Sequence, residues 1–246
     1  ERRPCTPGAT LTDATLTGAA PAGAEGAVNG RGPRRPDGFI QKGNARYDRH
    51  DALYRKAKKE GYAARSVYKL EEIDRELKLL RARDRVLDLG CAPGSWMQYV
   101  DQKVTHGAAV GIDLLPTRIA FSAKVRVLQG DAFETSLEEL TGTPPGEPLR
   151  LFDVVLSDMA PNTSGIKSVD QARSLALCER ALEVAERALA PGGRMCVKIF
   201  EGGDMKQFLD ACKQVFATVK VKRPKGTRAG SVETYVIGLD RLPPVR

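Results

Sequence analysis

The chain has 246 residues, of which 41% are hydrophobic and 28% charged, a composition that suits one globular domain with an ample core. Lys and Arg number 39 against 31 Asp and Glu, for a formal net charge of +8, so a polyanionic partner is weakly favoured. No run of about eighteen apolar residues is present, which excludes a helical membrane span, and the chain as a whole is not a disordered polymer.

Residues 1–45 differ in composition from the rest of the chain. Thr, Ala, Gly and Pro dominate this segment, which has few large apolar side chains to offset its ordering entropy. We therefore expect a flexible tail, followed by a single domain over residues 46–246. The tail has no apolar core of the kind that a secretory signal peptide needs. Its arginines are consistent with an organellar transit peptide, but its four acidic residues count against that interpretation. Because the chain begins with Glu, its natural start is left open.

A basic segment, Lys42–Lys69, follows the tail. It holds nine basic and three acidic residues, with tyrosines at four positions among them. Cations interleaved with aromatic rings suit an RNA surface, because RNA offers both phosphates and bases. A solvated helix face is the alternative interpretation.

Beyond this segment the pattern predicts alternating strands and helices. Apolar runs bounded by Gly, Asp or Pro predict strands at Arg85–Gly90, Ala108–Asp113, Val125–Gln129, Phe152–Asp158, Arg194–Phe200, Thr218–Lys222 and Glu233–Leu239. Helical spacing predicts helices at Ser66–Leu80, Ser95–Lys103, Val169–Leu189 and Met205–Val215, with Pro191-Gly192-Gly193 ending the third. Such alternation indicates an α/β fold with a parallel sheet covered on both faces.

The first predicted strand runs into a glycine-containing turn with the pattern DLGxAPGxW, and then into a helix that opens near Pro93. Gly90 and Gly94 let a ligand approach the backbone, and the helix start offers free N–H groups. The three-glycine dinucleotide fingerprint is absent, so a ligand without a pyrophosphate is favoured. Trp96 is equally consistent with a core position and with a contact to the ligand or its loop.

Carboxylates follow the next three strands at the same edge of the sheet. Asp113 can accept both ribose hydroxyls, Asp131 can meet an adenine amino group, and Asp158 ends the fourth strand. Any one of them is consistent with an ordinary turn-forming Asp. As a set, they predict a binding site for S-adenosyl-L-methionine.

The fifth predicted strand places Lys198 inside an apolar run. A buried lysine is costly unless it is paired or functional, and desolvation favours the neutral amine, which can act as a base. Asp158 and Glu233, at the start of the last strand, are the expected partners.

These residues stand in seven blocks that together resemble the FtsJ/RrmJ-type (RlmE) ribosomal RNA large-subunit 2′-O-ribose methyltransferases, from about Tyr54 to Leu239. The blocks are ARSVYKLEEID, VLDLGCAPGSWMQYV, GIDLLP, LQGDAF, VVLSDMAPNTSG, ALAPGGRMCVKIFEG and SVETYVIG. The resemblance implies a Rossmann-like, seven-stranded, mostly parallel sheet with one antiparallel strand near its end. Cys91 and Ser95 stand where relatives often carry Ala and Gly. The long tail is a further departure from the family pattern.

The resemblance also implies site residues. The family's catalytic tetrad maps onto Lys69, Asp158, Lys198 and Glu233, and its cofactor residues map onto Gly94, Trp96, Asp113, Asp131 and Asp158, to which the turn adds Gly90. Lys198 is then the general base that takes the proton of a ribose 2′-hydroxyl, while Lys69 stabilises the developing oxyanion.

The implied reaction is S-adenosylmethionine-dependent 2′-O-methylation of a uridine in 23S ribosomal RNA. We expect large-subunit RNA or the large subunit as partner, a monomer, no metal and no membrane, and a bacterial cytoplasmic location in preference to the mitochondrial matrix. The basic segment and the cations of Lys220–Arg228 are the candidate RNA surfaces. A methyltransferase for tRNA or an RNA cap, and an RNA-binding ribosome assembly factor, stay open; an NAD-dependent enzyme is disfavoured by the missing glycine.

Five cysteines, an odd number without a CxxC pair, argue against a disulfide framework and a structural zinc site. With only two histidines, the chain has little from which to build a His-based metal site. Buried or incidental thiols in a reducing cytosol are expected instead.

Overall fold

The structure, a computed structural model, describes residues 45–228 and 230–243, with side chains from residue 52 onward. The helices in this part of the chain are α1 (Ala45–Lys59), α2 (Val67–Leu77), α3 (Ser95–Lys103), α4 (Leu137–Thr141), α5 (Lys167–Ala188) and α6 (Met205–Val215). The strands are β1 (Arg85–Leu89), β2 (Ala108–Asp113), β3 (Val125–Gln129), β4 (Phe152–Ser157), β5 (Leu189–Phe200), β6 (Phe216–Lys222) and β7 (Glu233–Arg241).

All seven strands form one sheet in the order β3-β2-β1-β4-β5-β7-β6. Strands β1 to β5 pair in parallel, whereas β7 runs antiparallel to both of its neighbours. The predicted fold class is therefore confirmed. Because β7 is reversed, its first residue, Glu233, lies opposite Phe200 at the edge where the parallel strands end.

Alternating side chains divide the core between the two faces of the sheet. On β1, Leu87 and Leu89 pack into a cluster with buried residues of α4, α5 and α6. Val86 points to the other face and joins a cluster with α1, α2 and α3. Helix α2 contributes to this second cluster because Val67, Leu70 and Ile73 recur at helical spacing and are buried. The two faces therefore carry separate helix layers, and α2 and α3 cover the face that bears the site.

The sequence pattern places some boundaries wrongly. Helix α5 ends at Ala188 and β5 begins at Leu189, so Pro191-Gly192-Gly193 lies within the strand rather than at the helix end. The pairing with β4 shifts register between Phe152 and Val154, which lets the two glycines leave the ladder as a bulge. Helix α3 begins at Ser95 after the N-cap Gly94, so Pro93 precedes the helix instead of opening it.

The described residues belong to one compact unit, Gly43–Arg246. The predicted tail lies outside the described residues apart from its last position, and the domain boundary stays a prediction. None of the helices that the structure describes combines the length and the hydropathy of a membrane span. Four cysteines, Cys91, Cys178, Cys196 and Cys212, are free and buried, whereas Cys5 lies outside the described part of the chain.

Candidate active site

A cavity of about 660 Å³ opens where β1, β2, β3 and β4 end. Four of the predicted cofactor residues line it: Gly90, Asp113, Asp131 and Asp158. The volume is typical of small-molecule sites, and the carboxyl edge of an open α/β sheet is where such sites form. The structure therefore brings the predicted strand-end residues into one cavity.

Asp113 fixes the loop that follows β1. Its Oδ2 accepts a hydrogen bond from the Ala92 amide at 2.9 Å, and its Oδ1 accepts one from the Leu115 amide at 2.9 Å. Each carboxylate oxygen has a second lone pair, so both remain able to accept a hydroxyl. The side chain is thereby held at the cavity wall with acceptor capacity left on both oxygens, and its contact with a ribose stays a prediction.

Asp131 and an apolar rim form the opposite end of the cavity. Asp131 Oδ1 accepts the Phe133 amide at 2.9 Å, and its Oδ2 has no hydrogen bond to any described residue. Leu114, Leu115 and Phe133 line the same cavity and are 65%, 66% and 48% exposed. Exposed apolar side chains around one free carboxylate oxygen suit a flat heterocycle that carries an amino group.

Gly90 is required by the close approach of two strand ends. Its φ of 80° lies in the left-handed region, and a Cβ there would come within 2.5 Å of Met159 Cγ and 3.0 Å of the Met159 backbone. No larger residue fits without moving the segment that follows β4. Gly90, directly after β1, contributes backbone to the cavity wall at this point.

Gly94 and Trp96 are not among the residues that line the cavity. A Cβ on Gly94 would lie 3.1 Å from Phe121 and 3.3 Å from Ile119, so this glycine lets the segment after β2 close over the start of α3. Trp96 is buried, and its indole Nε1 donates to the Ser66 carbonyl at 3.0 Å. Direct contact of these two residues with a cofactor stays a prediction.

The four predicted catalytic residues form two adjacent ion pairs beside the cavity. Lys198 Nζ lies 3.0 Å from Asp158 Oδ1 and also donates to the Asp158 carbonyl at 2.5 Å. Lys69 Nζ pairs with Glu233 Oε1. Because Leu156 pairs with Cys196 in the sheet, Asp158 and Lys198 follow at one level two residues later and on one face.

Tyr235 joins the two ion pairs, although the sequence analysis did not select it. Its hydroxyl donates to Asp158 Oδ1 at 2.8 Å, and Lys69 Nζ lies 5.9 Å from its ring centroid. Burial, together with the negative charges of Asp158 and Glu233, raises the pKa of Tyr235 well above its ordinary value, so the phenol remains a donor. The available signal was its position two residues after Glu233, on the same face of the strand.

Asp88 is a second residue that the sequence analysis missed. It is fully buried, and neither of its carboxyl oxygens has a hydrogen-bond partner among the described residues. Burial first, and then the negative charges of Asp158 and Asp113, raise its pKa well above the ordinary value. An acid inside the apolar strand VLDLG was the available signal, of the same kind that identified Lys198.

No group of three or more potential metal-binding side chains converges in the part of the chain that the structure describes. The tetrad and Tyr235 place two carboxylates, two amines and a phenol beside the cavity. Such a set can hold a small polar ligand, transfer a proton and stabilise a developing negative charge.

The strand order, with one reversed strand next to the edge, and the cavity at the strand ends define a Rossmann-like methyltransferase. Residues 62–241 match the sequence model of the FtsJ-like methyltransferase family, and the chain belongs to that family. The resemblance predicted from the sequence blocks is thus confirmed.

The relatives support the same assignment. Ribosomal RNA large subunit methyltransferase E from Sorangium cellulosum is 49% identical over 210 residues, covering 85% of this chain and 96% of that protein. The protein of the same name from Bdellovibrio bacteriovorus is 42% identical over 200 residues, covering 79% and 98%. The crystal structure of a ribosomal RNA methyltransferase from Plasmodium falciparum superimposes with a TM-score of 0.64 at 25% identity, covering 74% of this chain and all of that one.

Proposed function

We propose that this chain transfers a methyl group from S-adenosyl-L-methionine to the 2′-hydroxyl of a uridine in large-subunit ribosomal RNA. The observation that carries the proposal is the pair of lysine–carboxylate contacts beside the cavity, Lys198–Asp158 and Lys69–Glu233. The names of the two bacterial relatives support the substrate.

The residues of the cavity fit the cofactor. Asp113 offers two acceptors for the ribose hydroxyls, and Asp131 with its apolar surroundings offers a place for the adenine. The loop after β1 lacks the three glycines that hold a pyrophosphate, which favours a nucleoside without phosphates. When bound, S-adenosylmethionine supplies a methyl group activated by a positively charged sulfur.

Lys198 is the proposed general base. A ribose hydroxyl must lose its proton as its oxygen forms the new bond to carbon, and Lys198 Nζ, beside Asp158, accepts that proton after it has released one of its own. The resulting ammonium is stabilised by Asp158, whose carboxylate is already oriented by the Tyr235 hydroxyl. Lys69, held by Glu233, contributes the positive charge that stabilises the oxyanion while the proton moves.

Methyl transfer from labelled S-adenosylmethionine to isolated large ribosomal subunits tests the proposal directly. We expect label in one 2′-O-methyluridine of the large-subunit RNA, located by nucleotide mapping. Label found only in transfer RNA or in capped RNA would refute the ribosomal substrate. Binding to large subunits without transfer would favour an assembly factor instead.

Asp113→Asn should weaken binding of S-adenosylmethionine by about 10- to 100-fold, because it removes one of two charge-assisted acceptors. The asparagine keeps one oxygen for a backbone amide, so the loop after β1 should remain folded. Isothermal titration with the cofactor measures the change. Glu183→Gln, on the exposed side of α5, is the control and should bind as the parent does. Equal affinity in both variants would contradict the assignment of Asp113.

One chain supplies all four tetrad residues, so we infer that a monomer suffices for activity. A ribosomal substrate in bacterial relatives favours the bacterial cytoplasm. The assignment of residues 46–246 to one domain, with a flexible segment before it, is likewise a proposal.

A further inference from the structure

Cations surround the tetrad, and two of them, at the end of β6 and at the start of its connection to β7, already have partners within the protein. Lys222 pairs with Glu76 of α2. Arg223 lies 3.4 Å from Glu201 and donates to the carbonyls of Ser231 and Glu233. These two side chains hold the connection in place, so they are not free to bind a substrate.

Arg65 and Arg228 differ from these cations. Neither side chain makes a hydrogen bond or an ion pair with any described residue, although both backbones are fixed. The Arg65 carbonyl accepts the Tyr68 amide at 3.2 Å, and the Arg228 carbonyl accepts the Ser231 amide at 3.1 Å. We name these two residues the arginine pair.

The backbone contacts place the arginine pair beside the tetrad. Arg65 lies four residues before Lys69, at the start of α2. The connection that carries Arg228 lies against the same helix, since the Lys225 amide donates to Glu72 at 2.9 Å and a Cβ on Gly226 would be 3.7 Å from Lys69 Cγ. The backbone of each arginine therefore lies close to Lys69: Arg65 precedes it on the chain, and Arg228 follows the Gly226 that lies against it.

The two guanidinium groups repel each other. The pKa of Arg65 is lowered first by burial and then by the positive charge of Arg228, and the negative charge of Glu233 opposes these effects. Two like charges held close together repel each other, and an anion that binds between them relieves that repulsion. Two planar guanidinium groups match the oxygens of one phosphate group.

We propose that the arginine pair binds one backbone phosphate of the RNA substrate, next to the ribose that is presented to Lys69 and Lys198. This inference rests on the proposed RNA methyltransferase function and deepens it. Phosphate contacts fix register and orientation rather than sequence. The arginine pair thus positions the 2′-hydroxyl without reading the base.

The test compares Arg65→Gln, Arg228→Gln, the double variant and Arg187→Gln. Arg187 is an exposed arginine at the far end of α5 from the site and serves as the matched control. Large subunits and labelled cofactor give KM and kcat at several salt concentrations, and calorimetry gives cofactor affinity. Thermal melting shows whether each variant is folded.

Each single variant should raise KM for large subunits about tenfold, the strength of one charged contact, with kcat and cofactor affinity nearly unchanged. If one phosphate is shared, the double variant should reduce the slope of log KM against log salt concentration by about 0.7, the value for a single phosphate on a single strand. A reduction of about 1.4 would mean two separate phosphates and would overturn the shared site. An unchanged KM and slope in folded variants would overturn it entirely.

Two further measurements separate this inference from the proposed function. Arg65→Lys and Arg228→Lys keep the charge but lose the paired donors, so they should give intermediate KM values. If the wild type does not methylate large subunits, the proposed function fails. Anisotropy titrations of a labelled single-stranded RNA with the same variants then test the arginine pair independently, and equal salt slopes for wild type and double variant would refute it.

Discussion

Lys198→Met should lower kcat for methyl transfer to large ribosomal subunits by about 10²- to 10⁴-fold, the range for loss of a general base. Methionine preserves the length of the side chain but cannot accept a proton. Asp158 would keep its hydrogen bond from the Tyr235 hydroxyl, so the carboxylate would not become isolated. Cofactor affinity should change little, because Lys198 is not among the residues that line the cavity. Single-turnover kinetics with labelled cofactor measure the chemical step directly.

Lys198→Arg separates proton transfer from electrostatics at the same position. A guanidinium keeps the positive charge beside Asp158 but does not lose its proton at any accessible pH. The arginine variant should therefore be nearly as inactive as the methionine variant. If it kept a tenth or more of the wild-type rate, Lys198 would act through its charge, and another group would have to be the base.

The assembly of the tetrad follows from the reversed direction of β7. Parallel strands all end at the same edge of the sheet, which places Asp158 there. A parallel neighbour would have its first residue at the opposite edge. Antiparallel β7 presents its first residues, Glu233 and Tyr235, at that edge, and Tyr235 pairs directly with Lys198. One reversed strand thus places an acid and a phenol beside an amine. Helix α2 then covers the same face and adds Lys69.

Periodicity and strand-end residues predicted most of the fold, because β1 to β4 are short apolar runs with clear ends. The pattern missed α1 and α4 for different reasons. Helix α1 carries many charges and has only a weak apolar face, of which Ala57 is the buried member among residues 52–59. Helix α4 is five residues long, too short for a period to emerge. The bulge at Gly192 depends on pairing with β4, which local sequence does not encode.

The candidate site was predictable where a residue type conflicts with its surroundings. Lys198 is a charge in an apolar strand, and the structure gives it a partner and only 8% exposure. Asp88 shows the same conflict, but it stands two residues before the loop glycine, where the DLGxAPGxW pattern already accounts for an acid. The position of Trp96 behind Tyr235, rather than in the cavity wall, depends on how α2 and α3 pack, and no motif specifies that packing.

Asp88→Asn should stabilise the protein at neutral pH relative to wild type, by an amount that grows as pH rises. In the folded protein burial raises the pKa of Asp88 well above its ordinary value, so between the ordinary and the raised pKa the folded carboxyl holds its proton. The unfolded chain releases that proton above about pH 4. Wild-type stability therefore falls with rising pH by up to about 1.4 kcal/mol per pH unit until the folded pKa is reached. Asparagine is nearly isosteric with the neutral acid and does not titrate, so it removes this loss.

Urea unfolding of both proteins between pH 4 and pH 9 measures the effect. The free energies of unfolding should nearly coincide at pH 4 and then diverge in favour of the Asp88→Asn variant. Asp170→Asn is a control in which the free energy of unfolding should change in the opposite direction. Three hydrogen bonds hold the pKa of Asp170 below its usual value: the strongest comes from the Ser164 amide, and the others come from the Ser164 hydroxyl and the Gly165 amide. That carboxylate stabilises the protein above about pH 4 and loses its effect as pH falls through the lowered pKa, so the Asp170→Asn variant should be less stable than wild type at neutral pH. If the stability difference between Asp88→Asn and wild type were constant across the pH range, Asp88 would be ionised in the folded protein and would need a bound cation or water to hold it there.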